Sequence, residues 1–232
     1  FSIENAPQAY ELITGKTDQK YLGVVLTYPA APRYNQNISL GKNIPQSGKI
    51  AGGKITLGLL GAGNYASATF LPIACKTANT HLAGIASSSG TSAQTLGRKF
   101  GFDFAASNSS EILNHPGINS VAILTRHNSH ARLTLEALQK GKHVYCEKPL
   151  SLDKSGLKAI EKELSKPNHP YLMVGFNRRF APYSIALKDF FRDRAEPLYA
   201  HFRVNAGYLP PSHWLNDLAA GGGRLIGAGC HF

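Results

Sequence analysis

Between Gln19 and Phe102 the sequence contains no aspartate or glutamate, although Lys20, Arg33, Lys42, Lys49, Lys54, Lys76, Arg98 and Lys99 all lie in that stretch. The 232-residue chain carries a formal net charge of +11, and much of the positive excess falls in this acid-free region. The cations are dispersed, without the Lys/Arg clusters and interleaved aromatics of a nucleic-acid groove, so no nucleic-acid partner is expected. A field that draws in a phosphorylated cofactor accounts for the pattern, and so does a plain solvated basic face.

Long apolar runs are also missing. None approaches the roughly 20 residues needed to cross a bilayer, so no membrane partner is expected. The start, Phe1-Ser2-Ile3-Glu4-Asn5, has no initiator methionine and no basic-then-apolar leader pattern, and the chain is expected to begin inside a longer protein. Cysteine is scarce. Cys75, Cys146 and Cys230 are odd in number, far apart and in no metal-ligand spacing. They are expected to be reduced core thiols, with no metal site and a cytoplasmic location. Hydrophobic residues make up 43% of the chain, enough to build a core.

The pattern along the chain divides it. Asn5 is placed to cap a short helix through Leu12, and Leu22–Leu26 has the composition of a strand. Pro29, Pro32, Asn35, Asn37, Pro45 and the glycine- and lysine-containing run after them predict a linker over 29–53. From Lys54 onward strands and helices alternate. Strands are expected at Ile55–Leu60, Leu82–Ala86, Val121–Thr125, His143–Cys146 and Tyr171–Phe176. Helices are expected from Asn64, around Ser92–Phe100, through Ala131–Gln139 and over Asp153–Leu164. This alternation predicts an α/β fold, a Rossmann-type doubly wound parallel sheet over 54–180. After Phe180 a helix (Tyr183–Phe191), a strand (Leu198–Val204) and a loop with Tyr208, His213 and Trp214 predict an incomplete α+β second domain over 181–232.

The turn after the first of these strands reads Gly61-Ala62-Gly63-Asn64-Tyr65-Ala66. The first glycine allows a tight turn, the second lets backbone approach a pyrophosphate, and Ala66 permits close packing of helix on strand. Gly61, Gly63, Asn64, Tyr65 and Ala66 are therefore candidate cofactor residues. An acid about 20 residues further on would mark NAD, through the ribose 2′-hydroxyl. The next strand ends instead in Ala86-Ser87-Ser88-Ser89. Ser87 and Ser88 could bond a 2′-phosphate with Arg98 and Lys99 as countercharges, which favours NADP over NAD.

Four further segments occur in order: Val121-Ala-Ile-Leu-Thr125-Arg126-His127-Asn128-Ser-His130, Gly141-Lys-His-Val-Tyr-Cys146-Glu147-Lys148-Pro149, Val174-Gly-Phe-Asn-Arg178-Arg179-Phe180, and Gly221-Gly-Gly-Arg-Leu-Ile-Gly227-Ala228-Gly-Cys-His231. Together they resemble the Gfo/Idh/MocA oxidoreductases over about residues 53–232. The resemblance implies an NADP- or NAD-dependent enzyme that passes hydride between nicotinamide and a CH–OH or carbonyl group of a sugar, cyclitol or nucleotide sugar. It implies that Thr125 and Asn128 border the nicotinamide with Glu147 and Lys148 beside it. Lys148 would then hydrogen-bond the reacting oxygen while His231 moves its proton. An ammonium stabilises negative charge on oxygen, and imidazole titrates near neutrality. A broad second domain that covers the cofactor and supports a homo-oligomer of the complete protein is also implied.

The chain departs from the family pattern at Gly227, where an acid usually precedes the histidine by four residues, and at the neighbouring Ala228. A second expectation therefore stands beside the first, a non-catalytic dinucleotide-binding fragment of a fused oxidoreductase. Residues 1–28 resemble the C-terminal tail of a medium-chain alcohol dehydrogenase-like domain, as in fused bidomain proteins, on the strength of Ala9-Tyr10 and Gly23-Val-Val-Leu26. Among the remaining residues, His130 is read as a structural cap or ring-packing residue. Arg178 and Arg179 are read as phosphate contacts or surface pairs, and Trp214 as a sugar-site wall or core anchor.

Overall fold

The strands are short because each needs only enough length to cross a buried parallel sheet. In chain order they are Asn37–Ser39 (β1), Ile55–Leu60 (β2), Thr80–Ala86 (β3), Phe104–Ala106 (β4), Ser120–Ile123 (β5), His143–Cys146 (β6) and Leu172–Val174 (β7). This computed structural model describes residues 1–28, 36–41 and 53–231, which fall into two compact units, Phe1–Asn35 and Gln36–Phe232. Of the segment expected as linker, 29–35 and 42–52 lie outside the described residues. The intervening Asn37–Ser39 is not linker but an edge strand, antiparallel to β4.

The sheet has the order β1-β4-β3-β2-β5-β6-β7, and every pairing but the first is parallel. This is the doubly wound topology that the alternation predicted, with the strand order reversing beside β2. Helices cover both faces. On one, the helix that follows β2 and the helix Thr91–Phe100 (α3) bury Ala66, Leu71, Ala93 and Leu96 against Leu59 and Ile85. On the other, Ser109–Leu113 (α4), His130–Gln139 (α5) and Lys154–Leu164 (α6) bury Ile112, Leu133, Leu138 and Ile160 against Val121, Ile123 and Val144. Counted in chain order, the first helix is Ala6–Ile13 (α1) and the one after β2 ends in Leu71–Ala74 (α2).

Immediately before α2 the helix widens into a π-helical segment, Ala66–Phe70, with the Leu71 N–H bonded to the Ala66 carbonyl. The cause is Pro72. It has no N–H for the Ala68 carbonyl and its ring crowds that group, so the widened turn relieves both faults. At the other end of this helix Gly61 has φ +105°, and a Cβ there would sit 2.6 Å from the backbone carbonyl of Leu124. Only glycine meets both conditions, which ties the β2 turn to the end of β5.

Four expectations fail. The strand expected at Leu22–Leu26 does not form. Among the described residues the first unit contains a 3-10 turn at Ile3–Asn5, α1 and a bridge between Ser2 and Thr27, and Leu22 is fully exposed. Asn5 stands at the N-cap of α1, but its side chain makes no capping bond. The strand expected at Leu198–Val204 is also absent, and Leu198, Tyr199, Phe202 and Val204 are exposed. Of the three thiols expected in the core, only Cys146 is buried. Cys75 at a helix end and Cys230 in the last turn are exposed. The remaining helices are Pro182–Phe190 (α7) and Gly223–Ala228 (α8). Among the described residues no helix is long and apolar enough to cross a membrane.

The Gly61 constraint predicts that Gly61→Ala destabilises the fold by about 2–4 kcal/mol, through positive φ and backbone overlap together. Urea denaturation of the variant measures this directly, and an unchanged midpoint would contradict the packing described.

Candidate functional site

The sheet does not end evenly at its C-terminal edge. Just past each strand, one backbone N–H reaches the last residues of the neighbouring strand: Gly61 to the Ala86 carbonyl at 2.9 Å, Leu124 to Leu60 at 2.7 Å, Glu147 to Ile123 at 2.9 Å and Gly175 to Cys146 at 2.8 Å. The loops that leave β2, β3, β5 and β6 are thus held side by side, around a cavity of about 1060 Å³. Such a crevice outside the carboxyl ends of a doubly wound sheet is where these folds bind ligands.

One wall is the glycine turn, Gly61, Gly63, Asn64 and Tyr65, at the start of the helix, so that first-turn N–H groups face the cavity. A Cβ on Gly63 would meet nothing within 4 Å. The protein does not fill the space beside Gly63, and an anion fits there. Ala66, 1% exposed, lies beneath the turn in the core and is not among the residues lining this cavity, which suits the close packing read for it.

The hydroxyl-rich end is built from Ser87, Ser88 and Ser89 after β3, with Ser107, Asn108 and Ser109 after β4. The Ser87 hydroxyl is already engaged, 2.8 Å from Ser92 Oγ and accepting from the Ala93 N–H at 3.2 Å. Ser88 is exposed and makes no such bond, so it is the hydroxyl open to a ligand. Arg98 and Lys99 do not supply a countercharge here. They sit in the last turn of α3, whereas the serine turn leads into its first, and neither lines the cavity. The second serine cluster was not anticipated. Its signal is Asn108-Ser109-Ser110-Glu111, a helix-start pattern, and Asn108 Oδ1 does accept from the Ser110 N–H at 2.9 Å.

Thr125, Glu147 and Lys148 line the opposite end with Arg126, His127 and Trp214. Thr125 Oγ1 lies 2.6 Å from Ser129 Oγ. Glu147 accepts at Oε1 from the Tyr145 hydroxyl, 2.8 Å, and at Oε2 from the Lys148 N–H, 3.1 Å. Among the lining residues Glu147 is the sole acid, against Arg126, Arg132 and Lys148, so the cavity suits an anion. Asn128 is not brought in. It is exposed, and its N–H donates to the Ala220 carbonyl at 3.2 Å.

The glycine-rich C-terminal segment is tied to this end. Besides the Asn128 bond, His127 Nδ1 lies 2.7 Å from the Gly221 carbonyl, and the Lys148 ammonium donates to the carbonyl of Gly227. Gly227 is buried, and a Cβ there would come 2.5 Å from Leu215 Cδ1. A side chain at this position would have to displace the Leu215 methyl, and it is the backbone carbonyl of Gly227 that meets Lys148. His231 lies outside the cavity lining, 6.2 Å from the Phe176 ring, with Nδ1 buried and unpartnered. Burial, then the charges of Lys148 and Arg178, hold its pKa below the ordinary value.

His130 takes the structural role read for it, with Nδ1 2.7 Å from the Pro149 carbonyl and Nε2 3.0 Å from that of Thr125. Arg179 donates to the Phe176 carbonyl and stacks on Phe176 and Phe180. Trp214 packs edge-on to His127 with centroids 4.8 Å apart, so it is at once an anchor and a cavity wall. Burial pushes the Cys146 thiol up to about 12, which leaves it inert. Among the described residues no cluster of His, Cys, Asp and Glu could hold a metal ion.

Burial also lowers the His127 pKa, with His130 and Lys148 adding to the effect and the Gly221 carbonyl opposing it. The unfolded ring binds a proton more readily than the folded one, so the stability conferred by neutral His127 is complete above about pH 6.5 and is lost as pH falls toward the folded value. His115 and His231 are shifted the same way. The chain is therefore expected to lose stability on acidification between about pH 7 and 5. His127→Asn should lose less, as measured by urea midpoints at both values, and an equal loss would clear His127 as a source.

Residues 55–176 match the model of the oxidoreductase family with an NAD-binding Rossmann fold, Gfo/Idh/MocA. An inositol 2-dehydrogenase from Rhizobium meliloti (strain 1021) is 31% identical over 134 residues, 58% of this chain and 39% of that protein. A levoglucosan dehydrogenase from Pseudarthrobacter phenanthrenivorans is 33% identical over 106 residues, 46% of this chain and 27% of that protein. An NAD-binding protein from Listeria innocua superposes with a TM-score of 0.66 at 27% identity, covering 77% of this chain and 52% of that one. The chain spans about half or less of the length of these relatives. With the family match running from β2 through β7 and enclosing both the glycine turn and Glu147-Lys148, the chain belongs to the Gfo/Idh/MocA oxidoreductases and carries their NAD-binding Rossmann fold.

Proposed function

We propose that this chain binds NADP or NAD in the cavity at the sheet edge, and that the whole protein transfers hydride between the nicotinamide and a hydroxyl or carbonyl of a sugar, cyclitol or nucleotide sugar. The observation that carries the proposal is the cavity itself, where an open glycine turn, a hydroxyl-rich turn and Glu147-Lys148 line one crevice. The inositol and levoglucosan dehydrogenases among the relatives support the substrate class. The absence of an acid at the end of β3, with Ser88 open instead, supports NADP over NAD.

A bound nicotinamide supplies the hydride donor or acceptor. The chain's own residues bind and polarise. The helix start at Gly63, Asn64 and Tyr65 takes the pyrophosphate, and Ser88 takes the adenosine ribose or its phosphate. Thr125 and Glu147 border the nicotinamide end. The Lys148 ammonium donates to the reacting oxygen of the substrate, with donors to spare beyond its bond to Gly227. His231, neutral near pH 7 by virtue of its lowered pKa, accepts the hydroxyl proton in the oxidative direction.

One observation favours a second reading, dinucleotide binding without turnover. Position 227 carries no acid, and His231 Nδ1 is buried without a hydrogen-bond partner to orient the ring. We further infer that 181–232 begins a substrate and oligomerisation domain of a cytoplasmic homo-oligomer. Residues 1–28 are inferred to derive from a medium-chain dehydrogenase tail. The helix Ala6–Ile13 around Ala9-Tyr10 supports that origin.

Gly63→Val should weaken NADP and NAD binding on the order of tenfold or more, because the branched side chain occupies the space the anion needs. Thermal stability should stay unchanged, since that space is open. Unaltered affinity in a titration of the folded variant, or no binding by the parent chain, would overturn the cofactor site. In the whole protein Lys148→Ala should keep dinucleotide affinity while turnover falls about 100-fold to 1000-fold. Whole protein that binds cofactor but turns over no sugar or cyclitol would leave the second reading standing.

A further inference from the structure

The cavity imposes a direction on a bound dinucleotide. With pyrophosphate at the glycine turn and the adenosine ribose at the serine turn, the nicotinamide falls beside Thr125, Glu147 and Lys148. Glu147, the sole lining acid, is clamped there at both oxygens. The unusual part of the clamp is Tyr145. Its hydroxyl donates to Oε1, its ring packs on Phe70 with centroids 5.5 Å apart, and the Tyr65 phenol of the glycine turn lies near it.

The backbone just past β7 closes the arrangement. A Cβ on Gly175 would come 2.7 Å from Glu147 Oε1 and 2.8 Å from the Tyr145 oxygen, so both groups lie directly against bare backbone. Burial, and next the Glu147 carboxylate, raise the Tyr145 pKa, and burial raises that of Tyr65. Tyr145 therefore keeps its proton and remains a donor.

We propose that Tyr145 is a positioning residue that holds the Glu147 carboxylate beside the nicotinamide ring, and that this fixed negative charge selects the oxidised form of the cofactor over the reduced form. The inference rests on the cofactor site proposed above. The oxidised ring is a cation and the reduced ring is neutral, so an oriented carboxylate in a half-buried site interacts differently with the two. A group with equal interactions in both forms could shift no such balance. The Lys148 ammonium opposes the effect, but its bond to the Gly227 carbonyl holds it toward α8.

The test is calorimetric titration of the chain and two variants with NADP⁺, NADPH, NAD⁺ and NADH. Glu147→Gln, which keeps the size and removes the charge, is expected to lower the ratio of oxidised to reduced affinity on the order of tenfold. Tyr145→Phe, which keeps the ring against Phe70, should lower the same ratio by about threefold, because the carboxylate remains but loses its anchor. A merely structural role for Tyr145 would weaken all four ligands alike. An unchanged ratio in either variant, with binding intact, overturns this inference and leaves the cofactor site standing. A parent chain that binds none of the four overturns both.

Discussion

The contact between Gly61 and the backbone of Leu124 and Thr125 is the constraint on which the rest of the molecule depends. It joins the end of β2 to the end of β5, the two strands between which the sheet reverses its order. Because no side chain intervenes, the helix after β2 starts directly over the crevice, with its free N–H groups facing in. The ladder then continues outward one bond at a time, from Ala86 to Gly175, and places the serine turn and Glu147-Lys148 at opposite ends of one cavity. Core packing on both faces of the sheet holds this edge, and the candidate site on it, in place.

The charge distribution follows the same division. Asp103 is buried against His81 at 2.6 Å, Glu111 accepts from Asn37 at 2.6 Å, and neither lines the crevice. Glu147 is left as a single fixed carboxylate among cations, at the end away from the serines. A site arranged in this way attracts an anionic ligand at long range, and its local charge still depends on which end of the ligand is considered. At position 227 there is no side chain, and the Lys148 ammonium meets the Gly227 backbone carbonyl, a dipole and not a full charge.

Much of the fold was legible in the sequence. The run Ile55–Leu60 and the glycine turn after it are local signals. His143–Cys146 matched its strand residue for residue, and Asp153 caps α6 through its bond to the Gly156 N–H at 2.7 Å. The elements that escaped notice were those whose signal is not local. β1 and β4 have three residues each, too few for a periodicity, and exist because they pair with each other and with β3. α4 is one short turn and a half, seated by Ile112 over the bare backbone of Gly58 and Gly84. The strands expected at Leu22–Leu26 and Leu198–Val204 failed for the converse reason. β-branched and aromatic composition creates a tendency that only a neighbouring strand can satisfy.

The candidate site divides in the same way. Residue types and spacing alone determined that a glycine turn would open a helix after β2, that no acid would stand at the end of β3, and that Lys148 would follow a strand. These are properties of a few consecutive residues and the backbone they permit. Only the tertiary structure decided that Ser87 is spent on α3 while Ser88 is open, that Arg98 and Lys99 sit a helix length away, and that Asn128 faces outward. It also decided that Tyr145, three residues before Lys148 and read only as part of a strand, grips Glu147. Each of these depends on the direction of a side chain relative to elements distant in the chain, and packing sets that direction where sequence spacing does not.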